Sequence, residues 1–165
     1  MSAQLKLLFA ASERALLDQP EQAHAAFTVK SGGQGGLHRR VEVRSFVVDV
    51  DEPAELGGTD KAPNPVEYAL AALAACQEIT YHMHAAALGI PINEVAVTLE
   101  GTLDLRGFFS VAPHPRPGFT GIVGSVRIDS PASEDQLKRL KDVVDAHCPV
   151  LDLLRNATPV RISLV

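Results

Sequence analysis

Asn64-Pro65-Val66-Glu67 opens the segment that most constrains what this chain can fold into. An Asn at the N-cap, a Pro at N1 and a Glu at N3 spell a helix start with a reciprocal capping box. From Pro65 to Leu88 nearly every residue is a helix former, and Gly89 followed by Pro91 supplies the stop. Val66, Leu70, Leu73, Ala74 and Ile79 are apolar, while Ala71, Ala72, Ala75, Ala85, Ala86 and Ala87 are small, so apolar surface covers most faces of the predicted helix. Such a helix is expected to be buried centrally. It needs cover from the rest of the chain and, since one chain's small sheets are too little for it, from a second copy.

That cover reads as short strands and further helices. Ser12 to Ala26 suggests two short helical pieces, interrupted by Pro20. Phe27 to Lys30 and Val41 to Arg44 flank the cluster Gly32-Gly33-Gln34-Gly35-Gly36, which is a hairpin pattern. The glycines lack the Gly-Lys-Ser/Thr of a phosphate loop, so turn chemistry is the better reading. Phe46 to Val50 reads as a third strand and Asp51 to Pro63 as a loop. Glu94 to Leu105 and Phe119 to Asp129 alternate like strands, joined through a proline-rich connection over Ala112 to Gly118. Ser133-Glu134-Asp135-Gln136 starts a second amphipathic helix that carries Leu137, Leu140, Val143 and Val144 and ends before Cys148-Pro149. A short helix over Val150 to Arg155 and a final strand over Val160 to Val165 complete an α+β pattern. At 165 residues it fits a single domain, 1–165, able to bury a core without metal or disulfide staples.

The formal net charge of -5 argues against a nucleic-acid binder, which needs a basic face. No apolar run reaches the roughly 18 to 20 residues of a membrane span, and Met1 to Ala11 lacks a signal-peptide pattern, so the expectation is a cytoplasmic protein away from membranes. In a reducing compartment Cys76 and Cys148, 72 positions apart, do not read as a permanent disulfide, and two thiols alone do not make a zinc site. Reactivity or plain burial remains, and burial suffices for either cysteine taken alone. Their company argues for reactivity: His147 adjoins Cys148, His82 and His84 follow Cys76, and Arg39, Arg40 and Arg44 precede it in the hairpin. His82 and His84 point about 160° apart on a helix, with no carboxylate to complete a metal site. His24, His38 and His114 read as solvated, and His147 either favours the Cys148 thiolate or simply sits exposed at a helix end.

These residues together resemble one family, the osmotically inducible and organic hydroperoxide resistance proteins, OsmC/Ohr, and an OsmC-like subgroup of it. The likeness rests on Asp51-Glu52-Pro53 with Leu56-Gly57-Gly58, on Asn64 to Tyr68 leading through Ala71 to Ala75 into Cys76, on Leu103 to Phe109, and on His147-Cys148-Pro149-Val150. It implies two curved antiparallel sheets around the long cysteine-bearing helix, in an intertwined homodimer with sites at its interface. It also implies a thiol-dependent peroxidase for small organic hydroperoxides. In that role Cys76 reacts first with the peroxide, Cys148 resolves the product, an arginine beside the thiolate lowers its pKa, and Glu67 steers that arginine. Arg44 is the choice for the arginine, with Arg39 and Arg40 as rivals. Glu67 lies nine residues before Cys76, about 180° of rotation and 13 Å of rise away, so it acts through an arginine or only caps the helix. No bound cofactor or metal is expected; an external dithiol, such as a lipoyl protein or thioredoxin, would return the disulfide to thiols. Cys148, next to a proline at a helix end, is expected to be the more mobile thiol. The alternative is a non-catalytic module that binds a small apolar ligand in the dimer cavity.

Overall fold

A computed structural model of the chain describes residues 2–111 and 115–164. The backbone divides into two compact units, Ser12–Ala71 and a second formed by Met1–Ala11 with Ala72–Val165. The first helix, α1 (Ser2–Asp18), is continuous and starts ten residues before the expected helical stretch, because no Gly or Pro intervenes before Pro20. A single 3-10 turn, Pro20–Ala23, replaces the second helical piece.

The Ser12–Ala71 unit is built on a three-stranded antiparallel sheet, ordered β1 (Val29–Gly33), β2 (Arg39–Val43), β3 (Phe46–Val50). Gly35 and Gly36 carry the first turn at φ 102° and 54°, which matches the turn reading of the glycine cluster. The loop after β3 is locked by Asp51. This buried carboxylate accepts from the Thr59 hydroxyl at 2.6 Å and from the Thr59 and Lys61 amides at 3.1 and 3.2 Å. The Thr59 hydroxyl foremost, helped by the loop amides and opposed by burial, holds the Asp51 carboxyl well below the usual carboxylate range. A Cβ at Gly58 would overlap the Glu52 carbonyl, so the loop can only close this tightly on a glycine. The capping box forms as expected: the Asn64 amide donates to Glu67 Oε2 at 2.7 Å, and the Glu67 amide donates to Asn64 Oδ1 at 2.9 Å. Helix α2 (Pro65–Leu88) starts there, and the Tyr68 hydroxyl fastens its first turn to β3 by donating to the Asp49 carbonyl.

In the second unit α2 runs on to Leu88, where Gly89 at φ 69° ends it as Ile90 and Gly89 donate back to the Ala85 and Ala86 carbonyls. Strands β4 (Glu94–Leu103) and β5 (Phe119–Asp129) pair antiparallel, with one extra residue in β5 opposite Thr102/Leu103. A one-turn helix that the sequence did not suggest, α3 (Leu105–Phe108), stands between them, capped by Asp104. Helix α4 (Glu134–His147) opens with the expected Ser133/Gln136 capping box, and α5 (Pro149–Arg155) follows directly. The core joins three elements: Tyr81 and Ala85 of α2, Val95 of β4, and Leu140 and Val144 of α4, with Val97, Val126 and Ile128 against them.

One expectation fails. Residues 157–164 form no strand and are exposed, so the apolar alternation of Val160, Ile162 and Leu164 finds no sheet edge within this chain. Helix α2 is not covered all round by a single chain. Leu73, Gln77, Thr80, Tyr81, Ala85 and Ala86 are buried, but Ala71, Ala72, Ala75 and Ile79 are exposed, Ile79 by 64%. Among the described residues no helix is long and apolar enough to cross a membrane.

Candidate active site

Cys76 sits midway along α2, held by a regular helix on either side. Cys148 occupies the junction of α4 and α5, and Pro149 creates that junction. A proline cannot extend α4, yet it suits the first position of a new helix. The backbone of Cys148 is tied on both sides: its amide donates to the Val144 carbonyl at 2.9 Å, and its carbonyl accepts from the Asp152 amide at 3.0 Å. Its side chain is 1% exposed, whereas Cys76 is half-buried. Cys148 is therefore the more deeply buried of the two thiols. The proline starts a second helix directly after it.

The two sulfurs lie 3.3 Å apart as free thiols. A disulfide needs about 2.05 Å, so closure asks for a sulfur displacement of roughly 1.3 Å. Burial, and then Cys148, push the Cys76 thiol up, while the Val150 amide and the Thr80 hydroxyl oppose them without prevailing. Thr80 is buried one turn beyond Cys76, and its hydroxyl donates to the Cys76 carbonyl at 2.6 Å. Reasoning from sequence missed both Thr80 and Val150, although the four-residue spacing from Cys76 marks Thr80 as a neighbour on the same helix face.

The histidines are more structured than the sequence suggests. The His84 and His147 rings stack at 5.2 Å, and Phe9 of α1 meets His84 edge-on at 5.3 Å. Burial foremost, then His147, lower the His84 pKa. His38 pairs with Asp49 at 2.9 Å instead of being merely solvated, and His114 lies outside the described residues. Among the described residues no three His, Cys, Asp or Glu side chains gather as a metal site would require.

Of the residues picked from sequence, the structure brings Cys76 and Cys148 together. Arg44 and Glu67 belong to the Ser12–Ala71 unit. Arg44 turns the chain between β2 and β3 at φ 56°, with its guanidinium 5.2 Å from the centre of the Phe46 ring. Arg39 is engaged locally, donating to the Gly36 and His38 carbonyls. Glu67 serves the helix cap, and among the described residues no arginine forms an ion pair with it.

The chain is thus an α+β protein with two small antiparallel sheets and two free thiols 3.3 Å apart. The chain belongs to the OsmC-like protein family, whose model matches residues 58–163, from the Gly-Gly loop to the C-terminal tail. Solved structures share the fold. An OsmC-like protein of Mycoplasma pneumoniae is 23% identical with a TM-score of 0.66, the alignment covering 79% of this chain and 88% of that one. An organic hydroperoxide resistance protein OsmC of Legionella pneumophila is 25% identical with a TM-score of 0.61, covering 79% and 90%. An organic hydroperoxide resistance protein of Elizabethkingia anophelis is 18% identical with a TM-score of 0.59, covering 80% and 89%. Among curated proteins none matches in sequence.

Proposed function

We propose that the protein is a thiol-dependent peroxidase that reduces small organic hydroperoxides. The observation that carries this reading is the 3.3 Å separation of a half-buried Cys76 and a sealed Cys148. The Cys76 thiolate attacks the distal peroxide oxygen, the O–O bond breaks, and the departing alkoxide takes a proton to leave as alcohol. Cys76 is then a sulfenic acid. The Cys148 sulfur attacks the Cys76 sulfur, the S–O bond breaks, and water leaves as the disulfide forms. An external dithiol, a lipoyl protein or thioredoxin, reduces it by exchange and is itself oxidised.

A raised Cys76 pKa is the wrong direction for a nucleophile, so the reading requires a cation that reaches the thiol. Arg44 is the proposed source, because among the described residues its guanidinium forms no ion pair and Arg39 is spent on carbonyls. Glu67 steers this arginine only if its carboxylate leaves the cap. The protein is further proposed to act as a cytoplasmic homodimer, its sheets curving about the α2 helices so that each 165-residue chain forms one domain of the assembly. Support comes from the bare Ala71, Ala72, Ala75 and Ile79 face of α2 and from the unpaired apolar tail, surface that a single chain leaves in water. Sedimentation at micromolar concentration is expected to give about twice the 17.6 kDa chain mass. Turnover of cumene and tert-butyl hydroperoxides, with dihydrolipoamide or thioredoxin as reductant, tests the activity. No turnover with either reductant would leave binding of a small apolar ligand as the better account.

A further inference from the structure

The groups around Cys76 differ in one respect: the Val150 amide is fixed in the backbone, but the Thr80 hydroxyl can rotate. We infer that Thr80 solvates the Cys76 thiolate, its hydroxyl releasing the Cys76 carbonyl and donating its hydrogen to Cys76 Sγ when the thiol ionises. Its use in turnover rests on the peroxidase reading; its hold on the sulfur does not.

The position of Thr80 supports this exchange. Thr80 is 7% exposed, so little water competes for its hydrogen. The hydroxyl sits 2.6 Å from the carbonyl of the residue whose sulfur it would serve, one helical turn away. A helical threonine has two accessible χ1 wells, because its hydroxyl bonds the preceding turn in one of them. Thr80 follows Cys76 by four residues, so the two side chains share one face of α2. Releasing the carbonyl strands nothing, since within α2 it also accepts the regular backbone bond from the amide four residues on. A neutral thiol is a weak acceptor and a thiolate a strong one. Loss of the thiol proton to solvent therefore reverses the hydroxyl's preference, and the bond to sulfur forms when it is most stabilising.

The test is alkylation of Cys76 by iodoacetamide across a range of pH, quantified on the Cys76 peptide by mass spectrometry. Thr80→Val removes the hydroxyl at nearly constant volume and is expected to slow alkylation near pH 7 by roughly tenfold, moving the inflection to higher pH. Thr80→Ser keeps the hydroxyl and is expected to restore the wild-type profile, which a purely packing role would not do. A wild-type profile for Thr80→Val would overturn the inference, as would a Thr80→Ser profile that matches Thr80→Val. If Thr80→Val does not fold, the Thr80→Ser and Thr80→Ala pair poses the same question, with the same two outcomes. Peroxide is absent throughout, so a failed peroxidase assay and a failed role for Thr80 are told apart.

Discussion

Replacing Cys148 by serine removes the thiol proposed to resolve the sulfenic acid while oxygen takes the place of sulfur at the α4–α5 junction and the backbone bonds to Val144 and Asp152 are kept. In the wild type the sulfurs are 3.3 Å apart, inside the roughly 3 to 3.5 Å window of a near-attack arrangement. Effective molarities for reactions so positioned begin at about 10⁵ M. Against peroxide at about 1 mM, Cys148 therefore has an advantage of about 10⁸, and even a millionfold lower intrinsic reactivity leaves it ahead by about a hundredfold. Wild-type protein should lose about 2 Da on treatment with one equivalent of organic hydroperoxide, and excess oxidant should add nothing further. Cys148→Ser should instead gain about 16 Da on Cys76, rising to about 32 Da in excess. Intact-mass and peptide mass spectrometry read both. The reasoning is refuted if wild-type protein accumulates the 16 or 32 Da adduct. It is refuted equally if Cys148 in a Cys76→Ser variant is oxidised as fast as Cys76 in wild type, because a side chain only 1% exposed should not meet peroxide first.

Leu140→Ala empties a fully buried position between α4 and the Tyr81–Ala85 face of α2, and should cost about 2–5 kcal/mol, read as a lower urea midpoint at unchanged slope. His84 has a folded-state pKa below its ordinary 6.5, so its contribution is full above about pH 6.5 and is lost as pH falls through the folded value. The urea midpoint should accordingly drop on mild acidification, and His84→Leu should flatten that dependence. Arg44→Ala should move Cys76 alkylation to higher pH; if Arg40→Ala does so and Arg44→Ala does not, Arg44 is the wrong residue.

Local chemistry carried the elements whose signals are local. The Asn64/Glu67 and Ser133/Gln136 boxes, the Gly89 stop and the Phe46–Val50 strand are read from neighbours a few residues apart, and each stands where those neighbours put it. The continuous α1 was also legible, since its first ten residues contain neither Gly nor Pro. The cysteines were identifiable by type and motif. Their 3.3 Å approach was not, because it depends on how α4 and α5 meet α2 across 72 positions of chain. Burial decided the rest. An apolar pattern says that a residue prefers to leave water, not whether its own chain supplies the cover, so the bare face of α2 and the unpaired 160–164 tail emerged only from the packed structure. The same holds for the Cys76 pKa. Nearby arginines and histidines in sequence suggested a lowered value, but the thiol answers to the groups that surround it in space: low-polarity burial, a second thiol, one amide and one hydroxyl.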